Sequence, residues 1–214
     1  MDERTREIHQ QKIYNYVKSA FSASGSHGFD HIMRVTRLCE IIGIRENADM
    51  DILIPAALFH DIARPLEEKD GTPHEEEGAK IAESFLSSIQ YEPALIPGIT
   101  HAIRTHRYRS DKKPKTPEAK ILSDADKLDA MGATGIARTF MRAGEHHGEM
   151  QDAIDHIHEK LLKLNDHLYT KTATDIAQQR HELLVYFIRN LEEELILPDP
   201  LQFPGFLLLN ETDQ

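Results

Sequence analysis

The stretch Ile52 to Ile62, ILIPAALFHDI, is an apolar run that ends in the adjacent pair His60 and Asp61. The run predicts a helix, in which both polar residues follow apolar positions by three or four and therefore face the core. Burying a carboxylate without a partner costs several kcal/mol. The pair therefore predicts a buried cationic partner, and further inward-facing ligands elsewhere in the chain would favour a metal ion as that partner.

Two further polar side chains fall on apolar helical stripes. His31 precedes Val35 by four residues, and Asp126 follows Leu122 by four. Imidazoles and carboxylates that converge in a helical bundle are typical of a site for a divalent metal such as Mn, Fe, Mg, Zn, Co or Ni. The sequence thus predicts a metal site formed by His31, His60, Asp61 and Asp126.

Two more histidines are predicted to face the core. His74 begins a predicted helix over 74–88, and His106 lies on the apolar face of a predicted helix over 93–108. They could complete a second metal site in which Asp61 bridges two ions, as in two-metal phosphoryl-transfer sites. They could equally hydrogen-bond a substrate phosphate beside a single metal, and both alternatives stay open.

Helical periodicity extends over nearly the whole chain, so the sequence predicts an all-α fold. Pro65 is predicted to stop the central helix, and the charged stretch LEEKDGTP after it is predicted to be a loop. The other predicted helices cover 3–21, about 31–42, much of 119–140, 149–168 and 173–197.

Length and composition favour one soluble domain over residues 1–214. Its predicted parts are a metal-site core at about 24–140, C-terminal helices at about 149–197 and an apolar tail at 198–214, which could pack on the body or on a second copy in a homodimer. No apolar run reaches the length of a membrane span, and the N-terminus lacks the apolar core of a secretory signal. The single cysteine, Cys39, is predicted to lie in the core, and we expect a cytoplasmic protein.

The net charge of −11 argues against binding of nucleic-acid polymers, because cations that neutralise phosphates dominate such binding. A local exception runs from Arg104 to Lys120. This stretch contains seven cationic residues and only two acidic ones, Asp111 and Glu118. This basic run is either a solvated surface or a mouth that attracts a small anionic substrate.

The ordered set His31, His60-Asp61 and Asp126, in the contexts SHGFDHIMRV, LFHDIA and LSDADKLDA, resembles the HD-domain superfamily of metal-dependent phosphohydrolases. More narrowly, SDADKLDAMGATGIARTF and HEKLLKL are similar to the small standalone bacterial HD hydrolases related to nucleoside triphosphate pyrophosphohydrolases. The resemblance covers about residues 24–194. It implies an all-α HD-domain helical bundle that places a metal on these four residues and hydrolyses a phosphoester or phosphoanhydride of a nucleotide, in particular a (deoxy)nucleoside triphosphate.

The implied reaction suggests roles for other polar residues. Arg64 and Lys127 are candidate phosphate contacts, and His27, Glu68 and Glu75 are candidate acid or base groups. The chain departs from the subgroup at Gly28, where an Asp commonly follows the position of His27.

Two other classes of function remain open. The HD scaffold also holds di-iron oxygenases, which use extra histidines between the His-Asp pair and the last Asp, as His74 and His106 could provide. The second alternative is a non-catalytic nucleotide-binding or metal-binding module, although such a module has no need of an intact ligand set.

Overall fold

The apolar run identified in the sequence forms a helix at the centre of the fold. In a computed structural model that describes residues 2–21, 28–108 and 111–196, this helix spans Met50–Phe59, and every side chain from Leu53 to Phe59 is buried. A helix that is apolar on all sides must be enclosed by other helices. The described helices are α1 (Glu3–Ala20), α2 (Phe29–Arg45), α3 (Met50–Phe59), α4 (Arg64–Asp70), α5 (His74–Ser88), α6 (Ile96–Thr105), α7 (Pro117–Asp129), α8 (Gly132–Glu145), α9 (Met150–Glu159), a 3₁₀ helix (Leu161–His167) and α10 (Lys171–Leu195).

The central helix α3 packs against α1, α2, α6 and α7, and α5 packs on α6. The C-terminal helices form a second group, in which α8 packs on α9 and α10, and α10 also packs on α7. The described residues contain no strand, so the predicted all-α fold is confirmed. None of the described helices is long and apolar enough to cross a membrane.

The buried carboxylate of Asp124 ties the two groups of helices together. It accepts hydrogen bonds from the backbone N–H groups of Tyr169 and Thr170, just before α10 begins. The hydroxyl of Thr170 also donates to it and in turn caps the helix by accepting from the N–H of Ala173. Asp124 therefore fixes the start of α10 on α7.

Several predicted boundaries were wrong. The central helix ends at Phe59 rather than at Pro65, and Pro65 instead lies in the first turn of α4, where its missing N–H costs nothing. The stretch predicted as a loop is therefore mostly helical until Gly71, whose positive φ of 78° ends the helix. The helix predicted over 93–108 is shorter and spans only Ile96–Thr105.

The predicted helix over 149–168 is split in two at Lys160, whose backbone leaves the helical region. Leu161 and Leu164 are both buried in the 3₁₀ helix that follows. Three residues per turn place both on the same face of this helix. Cys39 is buried in the core, as predicted, whereas the tail at 198–214 lies outside the described residues and its role stays a prediction.

Candidate metal centre

His60 and Asp61 lie directly after the last residue of α3, and both are buried, with exposures of 0% and 1%. The imidazole of His60 is held by its Nδ1–H, which donates to the carbonyl of Ala57 at 2.7 Å. The prediction that both residues face the core is therefore confirmed. The structure places them in a turn between α3 and α4 rather than inside a helix.

Four buried histidines surround Asp61, and each uses Nδ1 to donate a hydrogen bond away from it. A neutral imidazole that donates from Nδ1 keeps an unprotonated lone pair on Nε2. The acceptors are a carboxylate of Asp129 for His31, the carbonyl of Ala57 for His60, a carboxylate of Glu67 for His74 and the carbonyl of Ile103 for His106. All four Nε2 atoms therefore point toward Asp61 and are the atoms available to a metal ion.

The first group of potential ligands gathers on the Oδ2 side of Asp61. Nε2 of His31 lies 3.5 Å from this oxygen and Nε2 of His60 lies 3.9 Å from it. The two Nε2 atoms are 3.3 Å apart, and Oδ1 of Asp126 is 3.5 Å from that of His31. The structure thus brings together the four residues that the sequence singled out.

The second group gathers on the other oxygen of the same carboxylate. Oδ1 of Asp61 lies 3.1 Å from Nε2 of His74 and 3.6 Å from Nε2 of His106, and the two nitrogens are 3.4 Å apart. This oxygen is buried and has no hydrogen-bond partner among the described residues. The two oxygens of Asp61 therefore face two separate groups of potential metal ligands.

The imidazole nitrogens and carboxylate oxygens of these two groups are suitable ligands for divalent metal ions. Lone pairs that converge without intervening protons repel each other, and a cation between them removes the repulsion. Imidazole nitrogens and carboxylate oxygens are ligands of Mn, Fe, Zn and related ions. Ligating histidines characteristically donate their other N–H to a carboxylate or a carbonyl, which is the arrangement of all four here.

Protonation at neutral pH also suits ligation. Burial lowers the pKa of His60 to about 4, so its imidazole is neutral. Burial raises the pKa of Asp61, but the positive charge of Arg64 and the adjacent histidines outweigh this and hold the pKa well below its usual range. Asp61 is therefore ionised, and both side chains carry the lone pairs that a metal requires.

A third cluster of acidic and imidazole groups, Glu67, His74 and Glu75, lies beside the second group. Its carboxylates are already paired, since Glu67 binds Arg64 at 2.7 Å and both Glu67 and Glu75 contact Arg107. We interpret it as an ion-pair network that supports His74 rather than as a third metal site.

A cavity of about 590 Å³ adjoins the two groups of ligands, since His106 and Asp126 are among the residues that line it. Each wall of the cavity carries polar residues at four-residue spacing. They are Arg138, Arg142 and His146 along α8 and its C-terminal cap, and Asp152, His156 and Lys160 along α9 and its C-terminal cap. Two carboxylates line the cavity, those of Asp126 and Asp152. Five cationic side chains do so: Arg64, Arg107, Arg138, Arg142 and Lys160. The cavity therefore favours anions, in contrast to the net charge of the chain.

The basic run from Arg104 to Lys120 contributes less to this cavity than the sequence suggested. Arg107 lines it, but Lys112, Lys113 and Lys115 do not. Instead, Lys112 and Arg104 pair with Glu76 on α5.

The other predicted site residues have mixed outcomes. Arg64 lines the cavity, and its guanidinium lies 3.3 Å from Asp61. Lys127 is buried, donates to Ser123 at 2.8 Å and lies 4.6 Å from the ring centre of Tyr169. It is not among the residues that line the cavity, and its contact with phosphate stays a prediction. Of the three candidate acid or base groups, Glu75 forms an ion pair with Arg107 and Glu68 is exposed. The third, His27, lies outside the described residues.

Three residues that the sequence analysis missed support the site: Asp129, Glu67 and Arg138. Asp129 follows the predicted ligand Asp126 by three residues, a spacing that keeps both on one side of α7. Glu67 directly precedes Glu68, which the sequence analysis chose instead. The helix α4 was predicted as a loop, so its inward face could not be identified.

The comparisons with known proteins agree with this geometry. The HD domain family matches residues 28–131, a range that contains all six potential ligands. The uncharacterized protein YpgQ of Bacillus subtilis is 33% identical in a match that covers 86% of this chain and 93% of that protein. The chain belongs to the HD-domain superfamily. HD domains bind divalent metals, which the two ligand groups described above would suit.

Solved structures of other HD-domain proteins share this fold. The crystal structure of YpgQ in complex with ADP has a TM-score of 0.74 at 33% identity, over 87% of this chain and 98% of that one. A "predicted HD superfamily hydrolase" from an uncultured Thermotogales bacterium has a TM-score of 0.67 at 32% identity, over 87% and 92% of the two chains. Ribonuclease Y of Sulfurovum sp. is 21% identical over 95% of this chain but only 38% of its own length.

Proposed function

We propose that this HD-domain protein is a metal-dependent phosphohydrolase that cleaves a phosphoester or phosphoanhydride bond of a nucleotide, in particular of a (deoxy)nucleoside triphosphate. The observation that carries the proposal is the position of Asp61, whose two oxygens face separate histidine groups beside a cationic cavity. A site that holds cations beside a cavity that attracts anions suits phosphoryl transfer.

The proposed ligands form two sets that share Asp61. One ion would be held by His31, His60, Asp61 and Asp126, and a second by Asp61, His74 and His106. This arrangement favours the dinuclear alternative over phosphate binding by His74 and His106, because both Nε2 atoms are turned toward Asp61.

When bound, the ions would polarise the phosphoryl oxygens and lower the pKa of a water molecule. The protein residues supply the remaining requirements. Arg64 and Arg138 line the cavity next to the ligands and would offset charge that develops on the phosphate oxygens. Hydrogen bonds at Nδ1 keep each imidazole in its orientation while substrate binds.

A nucleotide suits the size and polarity of the cavity. Its volume of about 590 Å³ lies within the roughly 300–1,000 Å³ of small-molecule sites. The related YpgQ, at 33% identity, has been crystallised with ADP, which supports a nucleotide here. The net charge of −11 opposes long polynucleotides, and the match to ribonuclease Y, at 21% identity, supports the fold alone.

Metal stoichiometry tests the dinuclear site. Calorimetric titration with Mn²⁺ is expected to give two ions per chain in the wild type and one in His74→Ala and in His106→Ala, because each variant removes a ligand of the second ion only. His101→Ala is the matched control, since this histidine of α6 is absent from both ligand groups. A value of one in the wild type that neither variant changes would exclude the second ion.

The cationic cavity predicts which surface charges guide the substrate. Arg142→Glu is expected to raise KM for a nucleoside triphosphate about tenfold, since it reverses a charge on the cavity wall. Lys113→Glu makes the same change at an exposed site outside the cavity and should alter KM less than about twofold. Equal effects of the two substitutions on KM would indicate that the basic run from Arg104 to Lys120 also attracts the substrate.

A screen of nucleotides with several divalent metals tests the function itself. Release of phosphate or pyrophosphate from nucleoside triphosphates is the expected result, and efficient cleavage of long RNA or DNA would contradict it. The dinuclear geometry also suits the di-iron oxygenase alternative, so oxygen consumption with Fe²⁺ should be measured in parallel. Oxygen consumption without phosphate release would replace the proposal by that alternative.

A further inference from the structure

The carboxylate of Asp129 is shared between a proposed metal ligand and a cavity arginine. Its Oδ2 accepts from Nδ1 of His31 at 2.8 Å and from Nη1 of Arg138 at 2.6 Å. Arg34 donates to both oxygens, to Oδ1 at 2.8 Å and to Oδ2 at 3.2 Å, but unlike Arg138 it does not line the cavity. Asp129 itself is buried, with an exposure of 1%. One carboxylate oxygen thus connects the first ligand group to the anion-binding surface.

Glu67 repeats this arrangement on the second ligand group. Its Oε2 accepts from Nδ1 of His74 at 2.8 Å and from Nη1 of Arg64 at 2.7 Å. Its Oε1 accepts from Nη1 of Arg107 at 2.8 Å. Both arginines line the cavity. Each ligand group therefore has a histidine whose supporting carboxylate is also held by a cavity cation.

Sharing one oxygen makes the two interactions compete. A carboxylate that accepts from the Nδ1–H of a ligating histidine increases the electron density available to the metal. An arginine on the same oxygen withdraws part of that charge, and its own positive charge disfavours a cation nearby. An anion that binds the arginine from the cavity would neutralise the charge of the guanidinium. The carboxylate oxygen would then regain its charge, and the repulsion of the metal ion would be removed.

We propose that Asp129 and Glu67 are positioning residues that couple anion binding in the cavity to metal binding. Phosphate on Arg138 strengthens metal binding through Asp129 and His31. Phosphate on Arg64 does so through Glu67 and His74, and also through Asp61, which lies 3.3 Å from Arg64. Metal strengthens phosphate binding by the same factor. The coupling rests on the proposed function only in assuming a metal at the two groups and an anion in the cavity. It does not require that any bond be hydrolysed.

Mn²⁺ and inorganic phosphate are sufficient probes, with binding measured by calorimetry. In the wild type, saturating phosphate is expected to tighten Mn²⁺ binding about tenfold. In Arg138→Gln and in Arg64→Gln, Mn²⁺ without phosphate should bind more tightly than in the wild type, because a repelling charge is gone. The enhancement by saturating phosphate should fall below about threefold in both variants. A merely structural role of either arginine would weaken Mn²⁺ binding instead.

Arg34→Gln is the matched control, since Arg34 donates to Asp129 but does not line the cavity. It should keep the full phosphate enhancement. Asp129→Asn and Glu67→Gln keep an acceptor but lose the charge, and each should weaken Mn²⁺ binding about 10-fold or more. Circular dichroism and thermal unfolding identify any variant that fails to fold, and the two arginine variants provide independent tests of the same coupling.

Two outcomes would overturn the inference. One is an undiminished phosphate enhancement in both arginine variants, which would show that phosphate acts on the metal directly. The other is weaker Mn²⁺ binding in both arginine variants without phosphate. Absence of nucleotide hydrolysis with the coupling intact would overturn the proposed function alone, so the two failures can be distinguished.

Discussion

Asp61→Ala is expected to lose both metal ions and to lower kcat by roughly four orders of magnitude, the largest functional effect that we predict. The reason is that one carboxylate oxygen faces His31 and His60 while the other faces His74 and His106. No other described residue contributes to both groups in this way. Elemental analysis and a nucleotide hydrolysis assay measure the two losses.

His60→Ala and Asp126→Ala are the matched comparisons, because each removes a ligand from the first group only. Each should also lose activity, but each should retain the ion held by the second group. All three variants should stay folded, since the surrounding core is formed by apolar contacts of α2, α3, α6 and α7. Metal content near the wild-type level in Asp61→Ala and His60→Ala would refute the ligand assignment.

Gly135→Ala is expected to lower the free energy of unfolding by about 3 kcal/mol or more, the largest loss of stability that we predict. A Cβ at this position would lie 2.2 Å from the carbonyl oxygen of Ala130 and 2.3 Å from its carbon. Both are backbone atoms at the connection between α7 and α8, so the connection itself would have to move. Urea denaturation followed by circular dichroism measures the change.

Gly144→Ala provides the control in the same helix. A Cβ there meets no atom within 4 Å, and alanine favours a helix over glycine. The substitution should therefore be neutral or stabilise the protein by up to about 1 kcal/mol. Similar losses of stability in both variants would show that the close contact at Ala130 is not the cause.

The sequence predicted the all-α fold and selected residues that the structure brings together. It succeeded at His31, His60 and Asp61 because a polar residue on an apolar helical stripe has few stable alternatives to a buried partner. The ordered spacing of these residues also resembled a family to which the chain belongs. The metal ligation itself and the possible homodimer stay predictions.

The sequence could not predict which charged neighbours complete the site. Glu67 and Glu68 are adjacent and chemically alike, and only the orientation of α4 selects Glu67. Lys127 follows a proposed ligand, but the turn of α7 directs it to Ser123 and Tyr169 instead. The cavity wall on α8 and α9 depends on packing between distant segments, which periodicity within a single helix does not encode.

The contact between His31 and Asp129 has a consequence for the order of folding events. It joins residues 98 positions apart, so α2 and α7 must meet before the first ligand group exists. Contacts of such long sequence separation form slowly, because closing a long loop costs entropy before the contact stabilises anything. Metal uptake by a refolding chain should therefore lag behind the formation of helices, and newly made protein would acquire its ions only after most of its chain has been synthesised and has collapsed.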